Sequence, residues 1–207
     1  VYHYINYCGE IYHHLQRSGI GADVCSYDAD LSKYKAVILP GAFILREEYR
    51  RKLKDYAAGG GCLIATFLTG VKNGDNVGYT ERLPAGLTDL FGVPVQEVEP
   101  IFADNTASVK LSFDGEEWTS RDSAWCDLLA GTAKMIGTYT DTYKAGSGVI
   151  SENVYEKGTA YYIGTGLEPE AMRRLLEKIC KKAGVSQLPF AVPENVEVIR
   201  RVYEGRN

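Results

Sequence analysis

The stretch that decides the fold runs from Lys35 to Thr66, KAVILPGAFILREEYRRKLKDYAAGGGCLIAT. It holds two short apolar runs, Lys35–Pro40 and Cys62–Thr66, of the kind found in strands that are buried on both faces of a parallel sheet. The residues between them, from about Leu45 to Ala58, have helical character, and the three glycines at 59–61 tolerate the left-handed backbone that ends helices. The stretch therefore predicts a right-handed βαβ unit.

The N-terminal segment predicts a helix that extends to about Ser18. Its apolar residues recur at steps of three and four, at Tyr4, Ile5, Cys8, Ile11, Tyr12 and Leu15. Gly19 and Gly21 follow as stop signals, and Ala22–Tyr27 then predicts a short strand. In a βα alternation this first helix should follow a strand, which we expect to lie upstream of the present sequence.

The rest of the chain predicts an antiparallel, strand-rich insertion between helices. The expected elements are a loop over Leu68–Arg82, a helix over Ala85–Phe91, strands within Val93–Tyr162, a hairpin over Asn153–Gly164, a helix over Glu168–Ala183 and an outbound strand over Val196–Tyr203. Together with the βαβ unit, these elements predict an α/β protein with three α-β-α layers around a mostly parallel, doubly wound sheet.

Composition excludes several classes of function. The net charge of -4 and the pI near 5.5 argue against a nucleic-acid partner, because phosphate binding needs clustered lysine and arginine. The sequence has no apolar run of about 20 residues, so we expect no membrane partner. The five cysteines are widely spaced and form no CxxC pair, which favours a reducing, cytoplasmic setting.

The sequence places no nucleophile and no general base at the positions that α/β enzymes commonly use. A nucleophile would be expected at the turn after a central strand, but Thr66–Gly70 holds neither cysteine nor serine, and Cys62 begins its strand instead of ending it. All three histidines, His3, His13 and His14, lie in the first helical segment, so no late general base is present. His13 and His14 diverge by about 100° on a helix and cannot share a metal ion.

The remaining candidates favour structural roles. The turn Gly164-Thr165-Gly166 resembles a phosphate loop in position, but acidic residues follow it, so a tight turn with helix-capping acids is expected. The pairs Glu47-Glu48 and Glu116-Glu117 are neighbours in sequence, and nothing indicates that they face each other across a cleft. The 15 tyrosines suit sugar stacking, a protein interface or ordinary packing. We predict no catalytic, cofactor-binding or metal-binding residues.

The order of several motifs resembles the middle, trimerisation domain of glycoside hydrolase family 42 β-galactosidases. The stretches that carry the resemblance are Asp30–Gly41, Tyr56–Gly61, Leu83–Val93, Tyr155–Thr165 and Val192–Arg201, which together span nearly the whole chain.

The resemblance implies a flavodoxin-like, glutamine amidotransferase-like fold without its catalytic triad, in a trimerisation domain at residues 1–190. Residues 191–207 would then be the exit strand toward a C-terminal β-domain. The resemblance also implies a bacterial parent enzyme with an upstream TIM-barrel partner that removes terminal β-D-galactose with retention, and a homotrimer held together by this non-catalytic domain. The alternatives are a stand-alone amidotransferase-like or small hydrolase enzyme, and a sugar-binding module.

Overall fold

The computed structural model describes residues 3–190 together with positions 192, 193, 196 and 198. Apart from positions 196 and 198, the predicted exit strand lies outside the described residues. The elements, in chain order, are α1 (Tyr4–Arg17), a 3-10 turn (Leu31–Lys33), β1 (Ala36–Leu39), α2 (Glu47–Ala58), β2 (Cys62–Thr66), α3 (Thr88–Phe91), β3 (Val95–Pro100), β4 (Ser108–Phe113), β5 (Glu116–Leu129), β6 (Lys134–Tyr139), β7 (Gly148–Tyr155), β8 (Gly158–Ile163), β9 (Thr165–Leu167) and α4 (Pro169–Lys182).

The βαβ unit forms as predicted. β1 and β2 pair in parallel, with Ala36 opposite Cys62, and α2 connects them. β8 then adds in parallel to the other side of β2. Because side chains alternate along a strand, Ile64 of β2 packs in the core shared with α1 and α4, and Leu63 packs in the core shared with α2 and α3. Helices therefore cover both faces of this three-stranded part.

The N-terminal prediction is confirmed for the helix and wrong for the strand. α1 buries Tyr7, Ile11 and Leu15, whereas Tyr4 and Ile5, predicted on its apolar face, are 49% and 76% exposed. The predicted strand at 22–27 is irregular and largely exposed. A strand persists only where its backbone groups find a partner, and this segment has none in the sheet.

The expected three-layer fold with a mostly parallel sheet is wrong for the molecule as a whole. The sheet order is β1-β2-β8-β7-β6-β4-β5-β3, and every pairing beyond β8 is antiparallel. β5 pairs with both β4 and β7, so that β4, β5, β7 and β6 close into an antiparallel barrel. The physical reason is connection length, because turns of a few residues join strands only in antiparallel fashion.

For the later elements, the structure confirms the predicted kind of element, helix or strand, although the bounds differ. The hairpin over 153–164 forms from β7 and β8, and its second strand enters the sheet beside β2. α3 is shorter than predicted, and α4 begins at Pro169 as the sequence indicates. In the part of the chain that is described, no helix is long and apolar enough to cross a membrane.

Candidate functional site

The turn after β2 is the place where a nucleophile would be presented, and it has an unusual backbone. Leu68 adopts φ 60°, a left-handed conformation that is costly for a side chain of this type. The Thr69 hydroxyl donates to the Thr66 carbonyl at 2.7 Å, and the Thr66 hydroxyl accepts from the Gly41 amide at 2.7 Å. These bonds fix the turn against the loop that follows β1.

Asp127 on β5 anchors the turn through hydrogen bonds. Its Oδ2 accepts hydrogen bonds from the Leu68 amide at 2.9 Å and from the Tyr162 hydroxyl at 2.7 Å. The Asp127 side chain is fully buried, and its Oδ1 has no hydrogen-bond partner among the described residues. Burial raises the pKa of Asp127 to about 6, although the two donors oppose this shift. No sequence pattern predicts this contact, because β5 and β2 are far apart in the chain.

The turn shares one feature with a nucleophile elbow, a strained residue just after a central strand, but it leads into a loop instead of a helix and lacks the nucleophile. Leucine occupies position 68, and a hydrocarbon side chain can neither attack a carbonyl group nor transfer a proton. His13 and His14 lie on α1, and His3 precedes that helix. Cys62 is buried at the start of β2, and burial raises the pKa of its thiol to about 12, so the thiol stays protonated at neutral pH.

A buried ionic cluster, which no sequence pattern predicted, lies between β3, β5 and the loop after β6. The Lys144 side chain is 1% exposed, with its Nζ 3.3 Å from Glu99 and 3.5 Å from Asp122. The Tyr139 hydroxyl contacts both Asp122 and Cys126 at 3.1 Å. Each charge in this cluster faces an opposite charge and little solvent, so its arrangement is that of a structural ion pair.

The Gly164-Thr165-Gly166 turn forms no phosphate loop. Thr165 begins β9, which pairs with β5, and an added Cβ at Gly164 would lie 2.5 Å from the Asp127 carbonyl oxygen. Of the acids expected at the helix start, Glu170 lies in the first turn of α4, whereas Glu168 makes no side-chain cap and instead accepts a hydrogen bond from the Arg121 amide. The tight approach of two backbones therefore explains the first glycine.

The paired carboxylates are exposed and bound to basic side chains. Glu47 lies 3.7 Å from Arg51 on α2. Glu116 contacts Arg174 and Lys178 of α4 at 2.5 and 2.6 Å, and these partners lower its pKa. Neither pair faces a second carboxylate across a cleft, as glycoside cleavage requires.

Some tyrosines pack in the core, and others lie at the surface. On α1, Tyr7 packs 4.9 Å from Phe67 between ring centroids, whereas Tyr4 is half exposed. Tyr2 lies outside the described residues. Among the described residues, one shallow cleft lies beside α3, and another, more polar cleft lies beside the start of α2. Within the described part of the chain, no three histidine, cysteine or acidic side chains are grouped to hold a metal ion.

Fold and site together define a mixed α/β domain with a closed antiparallel barrel, in which the described residues assemble no nucleophile and base. The family model described as "Beta-galactosidase trimerisation domain" matches residues 2–186. The chain belongs to this family, the trimerisation domain of glycoside hydrolase family 42 β-galactosidases.

Individual relatives agree with this assignment. The chain is 33% identical over 189 residues to β-galactosidase BgaA of Clostridium cellulovorans, covering 91% of this chain and 28% of the relative. It is 30% identical to β-galactosidase BgaB of a Geobacillus species, covering 96% of this chain and 29% of the relative. The crystal structure of a β-galactosidase from Bacillus circulans sp. alkalophilus superimposes with a TM-score of 0.92 at 26% identity, covering 99% of this chain and 30% of that one. The chain thus spans less than a third of the length of these relatives.

Proposed function

We propose that this chain is a non-catalytic assembly domain of a longer β-galactosidase, in which it holds three protomers together. The observation that carries the proposal is the family match over residues 2–186, since the family is described by trimerisation. The relatives are β-galactosidases, and this chain corresponds to 28–30% of their length, which leaves the larger part for a separate catalytic domain.

Hydrolysis of terminal β-D-galactose belongs, in this proposal, to a TIM-barrel domain upstream. The leucine at position 68 supports this assignment, in which the reaction takes place in the upstream domain and this chain contributes no catalytic residue. Residues 1–190 would form the assembly domain, and 191–207 would lead toward a small C-terminal β-domain. The five free cysteines, including the exposed Cys25, favour a reducing cytoplasmic location.

Molar mass and turnover test the proposal together. Light scattering after size exclusion should give three times the protomer mass for the full-length enzyme, and deletion of residues 1–186 from it should abolish the trimer. The 207-residue chain of 22.8 kDa should not hydrolyse p-nitrophenyl β-D-galactoside, whereas the full-length enzyme should. A monomeric full-length enzyme, or turnover by this chain alone, would contradict the proposal.

A further inference from the structure

The ammonium group of Lys144 is enclosed by the protein, yet it has no hydrogen-bond partner among the described residues. Its side chain is 1% exposed, and the Asp122 side chain, whose Oδ2 lies 3.5 Å from the Lys144 Nζ, is fully buried. The rings of Tyr139 and Tyr143 lie with their centroids 5.2 and 5.7 Å from the same nitrogen. The amine is therefore held against a carboxyl group in a place that solvent hardly reaches.

The Asp122 carboxyl group accepts a hydrogen bond at each of its two oxygens. Oδ1 accepts from the Ala107 amide at 2.6 Å, and Oδ2 accepts from the Tyr139 hydroxyl at 3.1 Å. Donors placed in this way stabilise the negative charge that develops on oxygen when a nucleophile adds to the carboxyl carbon. The site therefore favours attack on Asp122.

Glu99 on β3 places a proton acceptor beside the amine. Its Oε2 lies 3.3 Å from the Lys144 Nζ and accepts a hydrogen bond from the Tyr143 hydroxyl. Asn105 donates to the other oxygen, Oε1, at 3.3 Å, which fixes the orientation of the carboxylate. The Glu99 side chain is 23% exposed, so it connects the buried amine with solvent.

We propose that Lys144 and Asp122 condense to an amide bond, which crosslinks the loop after β6 to β5, with Glu99 as the proton carrier. The Lys144 Nζ forms a bond to the Asp122 Cγ, and the bond between Cγ and Oδ2 breaks. One of the three ammonium protons remains on the amide nitrogen, and two leave with Oδ2 as water. The positive and the negative charge disappear together, so the step needs no oxidant and no further reactant.

Proximity and burial both promote this condensation. Groups that the fold already holds in contact react without the entropic cost of a bimolecular encounter. A buried ion pair must offset the desolvation of two charges, whereas the amide is neutral. Its oxygen, the former Oδ1 of Asp122, keeps the hydrogen bond from Ala107, and its N–H lies beside Glu99. Of the three charges, the one that remains is that of Glu99, which is the most exposed.

Tryptic peptide mapping of the purified full-length protein by mass spectrometry tests the proposal. Without the crosslink, trypsin releases residues 122–134 and 135–144 as separate peptides. The amide blocks cleavage after Lys144, so we expect a single ion that joins 122–134 to 135–157. This ion should be about 18 Da, one water, lighter than the two peptides together.

Lys182 is the matched internal control. Its Nζ lies 2.5 Å from Glu152, closer than Lys144 lies to Asp122, but its side chain is 42% exposed. Lys182 should therefore stay free and be cleaved normally. Dehydration at Asp114-Gly115 would also remove water, but on the separate peptide 111–121, so mapping distinguishes the two reactions.

The variant Glu99→Gln keeps both reacting groups and removes the proton acceptor. It should lower the crosslinked fraction at least about tenfold after the same incubation. If this variant does not fold, Tyr139→Phe takes its place and should act in the same direction, because it removes one donor to Asp122. Complete cleavage after Lys144 in the folded wild-type protein would overturn the proposal. Equal crosslinking in wild type and Glu99→Gln would overturn the role of Glu99.

Discussion

The Asp127 carboxyl group is ionisable, and it accepts a hydrogen bond from the strained backbone at Leu68. Its pKa is raised from 3.8 to about 6 by burial, so the native state binds a proton more tightly than the unfolded chain does. The stabilising effect of protonation is fully present below pH 3.8 and is lost as the pH rises through 6. The difference corresponds to about 3 kcal/mol of unfolding free energy.

We predict that Asp127→Asn removes this pH dependence. Guanidinium unfolding of wild type and variant from pH 4 to 7 should show a difference in free energy that changes by about 2 kcal/mol across the range. The matched control is Asp141→Asn, since hydrogen bonds from Ser108 lower the pKa of Asp141. The stabilisation from Asp141 is gained below its usual pKa of 3.8 and is nearly complete at pH 4, so the difference for this control should stay nearly constant from pH 4 to 7. A constant difference for Asp127→Asn would refute the prediction.

At the scale of elements, two glycines illustrate two different effects. One affects helix propensity, and the other allows two elements to pack closely. Gly9 lies on the exposed face of α1, and an added Cβ there meets nothing within 4 Å. At Gly158, where β8 begins, the same Cβ would lie 2.1 Å from the Ala57 carbonyl oxygen at the end of α2. The first glycine costs helix stability, and the second allows α2 to approach the hairpin.

We therefore expect opposite results from two identical substitutions. Gly9→Ala should raise the free energy of unfolding by about 1 kcal/mol, through helix propensity alone. Gly158→Ala should lower it by about 3 kcal/mol, because backbone atoms must move apart. Chemical denaturation of the two variants and wild type measures both. If Gly158→Ala proved neutral, the close approach of α2 and β8 would be wrong.

Element types were largely predictable, and element partners were not. The βαβ unit followed from Lys35–Thr66, because apolar runs and glycine stops act locally. The segment 22–27 has strand-like composition but no strand, because strand formation needs a neighbour that composition does not record. The candidate site shows the same difference between local and long-range features. The leucine at position 68 can be read from the sequence, but its contact with Asp127 on β5 cannot.

For the whole molecule, the continuous sheet predicts a single unfolding transition. The parallel part and the barrel are joined by the antiparallel pairing of β7 with β8, and both cores contain residues from β2 and β8. Scanning calorimetry should therefore give one peak whose calorimetric and van't Hoff enthalpies agree. Two resolved peaks would show that the barrel and the parallel part unfold separately, contrary to this prediction.

The sequence by itself determined the helices, most strands, the net negative charge and the leucine at position 68 of the turn after β2, since these depend on residue identity and short-range spacing. Only the tertiary structure decided that β5 pairs with β4 and β7 to close a barrel. Strand pairing joins residues far apart in the chain, and its outcome depends on which edges remain free once the shorter connections have formed.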